Sequence, residues 1–144
     1  MKLACQENMA PGATLVEKVA VLEEAGFEGI EIWGSGLWDR IDEIKNATKS
    51  SSVSVSSICA GYGGTPLSAD PDERAQASAD IKRILDAAGE LGAVGLIFVP
   101  IFGKPQISDL SPWRDAEELE RDLLVELMGG WAEHAQKAGT LLLL

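Results

Sequence analysis

Glu31 is the residue whose type and position best suit a binding or catalytic role. It lies within the apolar run EGIEIW of residues 28–33. Side chains of a strand alternate between its faces, so Ile30 and Ile32 would point to one side and Glu31 and Trp33 to the other. In a parallel β/α protein that second side is the interior, where a carboxylate could bind sugar hydroxyls or a metal. Trp33 could stack on a sugar. The alternatives are a solvated strand residue for Glu31 and a core residue for Trp33.

Other candidates follow the ends of further apolar runs, because parallel β/α proteins gather working residues where strands end. The segment CAGYGG of residues 59–64 follows the third run. Its glycines, Gly61 among them, would let the backbone approach a ligand closely, and Tyr62 could reach a substrate hydroxyl. A merely flexible loop is the alternative. The segment matches neither the GxxxxGK[ST] nor the GxGxxG phosphate-binding pattern.

The remaining titratable residues favour structural roles. His134 is the single histidine, and it lies late in a predicted helix, away from the strand ends. Mechanisms that need histidine ligands or a Ser/His pair therefore have no support. The acidic residues Glu117, Glu118 and Glu120 are expected at a solvated helix start, where the helix dipole favours negative charge.

Short apolar runs alternate with segments of helical period, and these elements must position the candidates. We predict five strands and four helices, in the order strand 2–5, helix 14–25, strand 28–33, helix 37–48, strand 53–58, helix 71–91, strand 94–99, helix 115–138 and strand 140–144. A helix–glycine–strand join recurs at Gly26, Gly92 and Gly139. Buried strands in this repeated order predict an α/β fold with a parallel sheet of four complete β/α units and one further strand.

Local signals set several helix boundaries. Capping boxes are predicted for the first helix from Thr14 and Glu17, and for the third from Asp70 and Glu73, with Pro71 at its first position. The fourth helix is expected to present one apolar side made of Leu119, Leu123, Leu127, Trp131 and Ala135. Gly129 and Gly130 within it predict a kink or two shorter helices.

Length and composition exclude several classes of protein. With 144 residues, the chain suits one domain but is shorter than the ~250 residues of a complete (β/α)8 barrel. Its net charge of −11 argues against a nucleic-acid partner. Cys5 and Cys59 form no CxxC pattern, and without a signal peptide or a ~20-residue apolar run we expect a cytoplasmic protein with reduced thiols and no membrane partner.

Four stretches together resemble the xylose-isomerase-like TIM-barrel superfamily: GFEGIEIW, VSSICAGYGG, the capped third helix, and GLIFVPIFGKP followed by LSPW. That superfamily includes hexulose epimerases, hydroxypyruvate isomerase, inosose dehydratases and endonuclease IV. Members of the last group bind metals through histidines after the third and fourth strands. Cys59, Tyr62 and Phe102 occupy those loops here, so the resemblance does not favour DNA repair.

The resemblance implies a single partial domain, 1–144, holding strands one to five of eight in a parallel half-barrel. It implies an isomerase or epimerase that moves a proton through an enediolate with divalent Mn or Mg. Substrate-pocket positions carry over to Glu7, Trp33, Gly61 and Pro100. The family's metal-binding Glu would follow Leu144, so no metal ligand carries over and little activity is expected of this chain alone.

Two other hypotheses stay open. One is a lyase resembling inosose dehydratase. The other is a stand-alone half-barrel acting as an interaction module, whose exposed strand edges pair with those of a second copy to form a homodimer.

Overall fold

Five parallel strands and four α-helices alternate in the computed structural model, which describes residues 2–100 and 103–144. Phe102, named above in the loop after the fourth strand, lies outside the described residues. A 3-10 turn, Leu37–Asp39, precedes the second helix. The elements are β1 Ala4–Gln6, α1 Leu15–Glu24, β2 Gly29–Trp33, α2 Ile41–Thr48, β3 Ser54–Cys59, α3 Pro71–Glu90, β4 Gly95–Ile97, α4 Ala116–Ala138 and β5 Leu141–Leu143.

The strands form one sheet in chain order, β1-β2-β3-β4-β5, and each neighbouring pair is parallel. This is the predicted α/β half-barrel. Helices cover one face of the sheet, where Ile30, Ile32, Ile58 and Leu96 are fully buried. The opposite, inner face is only partly covered: Glu31 there is half-buried and Trp33 is exposed. The predicted alternation along the second strand is therefore confirmed.

The third strand changes its facing pattern midway. The pairing of β2 with β3 shifts register between Ile30 and Glu31, which leaves Ser56 as an extra residue. Val53 and Val55 are buried before the shift and Ile58 after it, so the buried positions change from odd to even numbers. Because a bulge reverses the side on which later residues point, Ser57 comes to face Glu31.

Helix ends follow the predicted local chemistry with one correction. Thr14 and Glu17 form their capping box, and Gly26, Gly92 and Gly139 all take positive φ. At α3, Asp70 caps the N–H of Asp72, but Glu73 does not complete a box. The Asp70 N–H that Glu73 would accept from donates instead to Ser68 Oγ at 3.1 Å.

The second helix also begins later than predicted. Residues 37–39 form the 3-10 turn, and Arg40 then leaves helical geometry with φ −114° and ψ 1° before α2 starts at Ile41. The side chain of Arg40 is held by Glu7, far earlier in the chain. The interruption between the 3-10 turn and α2 therefore coincides with the contact between Arg40 and Glu7.

The fourth helix runs unbroken through Gly129 and Gly130, so the alternative of two shorter helices is wrong. Its predicted apolar side is also partly wrong, because the core includes Trp131 and Ala135, with Leu124, Leu127 and Met128 packed against it, but not Leu119 or Leu123. Steps of four residues drift by about 40° each on a helix of 3.6 residues per turn. Over four steps from Ala135 the predicted stripe therefore leaves the buried face. No helix in the described ranges is both long and apolar enough to cross a membrane.

Candidate functional site

A cleft of about 560 Å³ opens at the carboxyl end of the sheet, between the loops after β2, β3 and β4 and the start of α4. Four of the predicted substrate-binding residues line it: Trp33, Gly61, Tyr62 and Pro100. Glu7 and Glu31 are not among its lining residues. The other lining residues are Ser35, Ala60, Gly64, Thr65, Pro66, Leu67, Val99, Lys104, Gln106 and Glu120.

Trp33 supplies an aromatic surface to this cleft. It is the last residue of β2, and 39% of its surface is exposed, which sets it apart from the fully buried Ile30 and Ile32 on the same strand. A core role does not fit that exposure. An indole face bordering a cavity suits the apolar face of a sugar ring, because it offers area with little conformational entropy to lose.

Tyr62 holds two walls of the cleft together. Its hydroxyl donates to the carbonyl oxygen of Val99 at 2.8 Å, which joins the loop after β3 to the chain after β4. Its ring lies 5.4 Å from that of Phe98, which meets Trp131 at 5.2 Å. Burial raises the pKa of Tyr62, so its hydroxyl stays protonated at neutral pH. The oxygen can still accept a hydrogen bond from a ligand.

Gly61 allows two loops to touch. Its φ is +92°, a conformation that residues with a Cβ rarely adopt. A Cβ at Gly61 would collide with the backbone of Gly34 and Ser35, and one at Gly34 would collide with the carbonyl of Ala60. Gly34 and Gly61 therefore allow the loops after β2 and β3 to pack backbone against backbone. Together these loops form one wall of the cleft.

Glu7 is the most completely paired carboxylate in the described part of the chain. It is 5% exposed, accepts from both terminal nitrogens of Arg40 at 3.0 and 2.8 Å, and accepts from the backbone N–H of Trp33 at 2.8 Å. Burial would raise the pKa of Glu7, but Arg40 and the Trp33 N–H outweigh it and hold the pKa below its usual range. Glu7 therefore anchors the end of β2, on which Trp33 stands.

Glu31 belongs to a polar row across three strands on the inner face. Its carboxylate accepts from Gln6 Nε2 at 3.1 Å and from Ser57 Oγ at 2.8 Å. Burial, and then the charge of Glu31, raise the pKa of the Cys59 thiol one strand away. Glu31 is thus held in place on the inner face, two residues before Trp33, and is not the solvated strand residue that was the alternative.

The described residues do not fit a divalent metal by themselves. No group of three or more His, Cys, Asp or Glu side chains within residues 2–100 and 103–144 is arranged to hold one. Glu7 and Glu31 are already engaged by protein donors. His134, on α4, lies 2.7 Å from Asp86, on α3, so this contact joins the two helices.

Glu120 is the residue that sequence reasoning missed. It was expected at a solvated helix start, yet it is only 7% exposed and lines the cleft. Its neighbours differ: Glu117 is exposed, and Glu118 completes the capping box of Asp115. One feature of the sequence did indicate that Glu120 is buried. Eleven residues make just over three full turns, which places Glu120 on the same face of α4 as the buried Trp131.

Comparisons with known proteins agree on the architecture. The family model described as xylose isomerase-like TIM barrel matches residues 19–144. The 3-dehydro-D-guloside 4-epimerase of Escherichia coli K12 is 32% identical over 103 residues, covering 72% of this chain and 39% of that protein. The chain thus spans well under two thirds of this relative.

Two solved structures show how far the fold likeness extends. The apo form of 3-keto-D-glucoside 4-epimerase from E. coli superposes with a TM-score of 0.82 at 28% identity, over 99% of this chain and 54% of that one. The IOLI protein with a bound zinc atom gives a TM-score of 0.73 at 16% identity, over 99% of this chain and 50% of that one. The second likeness concerns the fold alone.

Proposed function

Because the chain belongs to the xylose isomerase-like TIM barrel family, we propose that it supplies the sugar-binding cleft of a sugar epimerase or isomerase. The observation that carries the proposal is the exposed indole of Trp33 at a cleft of about 560 Å³, a volume that suits a small ligand. The similarity to two proteins named as keto-sugar or dehydro-sugar 4-epimerases supports a ligand of that class.

The ligand we propose is a neutral keto-sugar or glycoside. The lining combines an aromatic ring, backbone at Gly61 and Pro100, and a few polar side chains, among them Gln106 and Lys104. Sugars are recognised in this way, by stacking on their apolar face and by hydrogen bonds to their hydroxyls. With only one lining lysine and no lining arginine among the described residues, the cleft is poorly suited to a phosphorylated sugar.

In such an enzyme the reaction would remove a proton next to a carbonyl and return it through an enediolate. The described residues contribute binding and orientation to this chemistry. Glu7 and Glu31 are held by protein donors, so we assign neither of them the proton transfer. The divalent metal that the resemblance implies does not fit the described residues, and no step is routed through it.

We therefore expect the 144-residue chain alone to lack epimerase turnover. We assign the carboxylates of the described residues to anchoring or to binding, so the chain can hold a sugar but has no assigned base to exchange its acidic C–H. The measurement is proton NMR of methyl 3-keto-D-glucoside, and separately of D-fructose, in deuterated water with the purified chain and Mn or Mg. Incorporation of deuterium next to the carbonyl, at a rate above the protein-free control, would contradict this expectation.

Binding is tested by replacing two of the four tryptophans, one on the cleft and one away from it. Trp33 lines the cleft, whereas Trp113 is 72% exposed and does not. We expect the unaltered chain to bind methyl 3-keto-D-glucoside in saturation-transfer NMR, and Trp33→Ala to weaken binding about fivefold or more, since an aromatic contact contributes about 1 kcal/mol. Trp113→Ala should bind as the unaltered chain does. No binding by the unaltered chain, or equal losses in both variants, would count against the proposal.

The compartment is also part of the proposal. Cys5 and Cys59 are both free thiols. Free thiols suit a reducing environment, which supports the cytoplasm as the site of action.

A further inference from the structure

Glu120 combines burial with a position on the cleft. It lies in the second turn of α4, its exposed fraction is 7%, and it lines the cleft. Glu117, one turn earlier on the same helix, is exposed. The two glutamates therefore share a helix but differ in surroundings.

The carboxylate of Glu120 has no hydrogen bond or ion pair with any residue in the ranges 2–100 and 103–144. The other polar residues that are buried as a whole in these ranges have partners: Glu7 is bound by Arg40, Ser68 accepts from the N–H of Asp70, and Thr140 donates to the carbonyl of Ala93. A carboxylate on the wall of a cleft, without a partner among these residues, is open to the hydrogen-bond donors of a ligand. Such a group is retained at a binding site when a ligand or bound water supplies the missing donors.

We propose that Glu120 accepts hydrogen bonds from the hydroxyl groups of a sugar that stacks on Trp33. The inference rests on the proposed function and deepens it, because it names the group that would recognise the hydroxyl edge of the ligand. Gln106 and Lys104 lie on the same cleft and offer donors to a ligand's oxygens. Glu120 supplies the complementary acceptor, so the polar part of the cleft can satisfy both the donors and the acceptors of a neutral sugar. We assign Glu120 a binding role.

The test compares Glu120→Gln with Glu117→Gln. Both changes remove one negative charge from α4 and keep the shape of the side chain. We expect Glu120→Gln to weaken binding of methyl 3-keto-D-glucoside tenfold or more, because hydrogen bonds to charged groups are the stronger ones. Glu117→Gln should bind as the unaltered chain does. The measurement is saturation-transfer NMR with the full 144-residue chain.

A ligand-free readout separates recognition from a structural role. We expect the melting temperature of Glu120→Gln to equal that of the unaltered chain, since Glu120 makes no hydrogen bond or ion pair with the other described residues that the change could break. A lower melting temperature for Glu120→Gln than for Glu117→Gln would mean that Glu120 serves the fold, and would overturn the inference.

The binding outcomes also separate the two proposals. Unchanged affinity in Glu120→Gln, with sugar bound by the unaltered chain and lost in Trp33→Ala, would overturn the role of Glu120 and leave the sugar-binding cleft standing. No sugar binding by the unaltered chain would overturn both.

Discussion

Glu7 illustrates how one side chain can support the geometry of a cleft that it does not line. Its carboxylate joins Arg40 to the backbone N–H of Trp33, and it is nearly fully buried. Arg40 also contacts Glu43, on the exposed side, at 3.0 Å. Arg40 thus has one buried partner, Glu7, and one exposed partner, Glu43, and replacing each in turn gives a matched pair of variants.

We expect Glu7→Gln to lower the free energy of unfolding by about 2 kcal/mol or more at pH 7, because it leaves Arg40 without its buried partner. Glu43→Gln should cost about 0.5 kcal/mol or less, as exposed ion pairs do. Urea denaturation of the two variants measures both. Equal losses would contradict the anchoring role of Glu7.

The same pair predicts a pH dependence. The pKa of Glu7 is lowered from its ordinary value of 4.5, so its stabilising contribution is complete above that value. As the pH falls below 4.5 and through the lowered folded-state pKa, that contribution is lost. The difference in unfolding free energy between the unaltered chain and Glu7→Gln should therefore shrink in acid. A difference that stays constant from pH 7 to pH 3 would show that Glu7 does not act as a carboxylate here.

At the scale of elements, two glycines inside α4 lower the stability of that helix. Gly129 and Gly130 lie within an unbroken helix, and a Cβ at either position would meet no atom within 4 Å. Neither has a positive φ, in contrast to Gly139 at the end of the same helix, with φ +74°. Glycine within a helix costs stability through its backbone entropy.

Replacing Gly129 and Gly130 by alanine should accordingly stabilise the chain by about 1–2 kcal/mol. Gly139→Ala is the control, and it should destabilise the chain by about 1 kcal/mol because of its left-handed backbone. Thermal unfolding followed by circular dichroism would measure both variants against the unaltered chain. Destabilisation by the double alanine variant would mean that the two glycines serve a contact that the described residues do not include.

At the scale of the whole molecule, the sheet has two open edges, because β1 and β5 each have one strand neighbour among the described strands. On β5, Leu141 is 55% exposed. Open parallel edges with apolar side chains favour association, so we propose a homodimer formed through the strand edges.

Light scattering after size exclusion should then give twice the chain mass of 15.3 kDa. Leu141→Lys on the edge should shift the chain to monomer, because a charged side chain opposes edge pairing. Val125→Lys, on an exposed position of α4, should leave the dimer unchanged. A monomeric unaltered chain would contradict edge pairing.

The order of elements and the facing of β2 could be predicted from the sequence. Both depend on short-range physics: the alternation of side chains along a strand, the capping of α1 by Thr14, and the left-handed glycines after three helices. The positions of Trp33, Gly61, Tyr62 and Pro100 at one end of the sheet followed as well, since parallel strands end on the same side.

Only the tertiary structure decided what each acidic residue does. Glu7 meets Arg40 across 33 positions of the chain, and Glu31 meets Ser57 across 26, because neighbouring strands and loops bring them together. Glu120 lies within an acidic run that was expected to be solvated, yet packing turns it toward the cleft. Local sequence sets the face of a helix or strand on which a side chain lies. The partners of a charged side chain come from elsewhere in the fold. Those partners determine whether the charge supports the structure or remains available to a ligand.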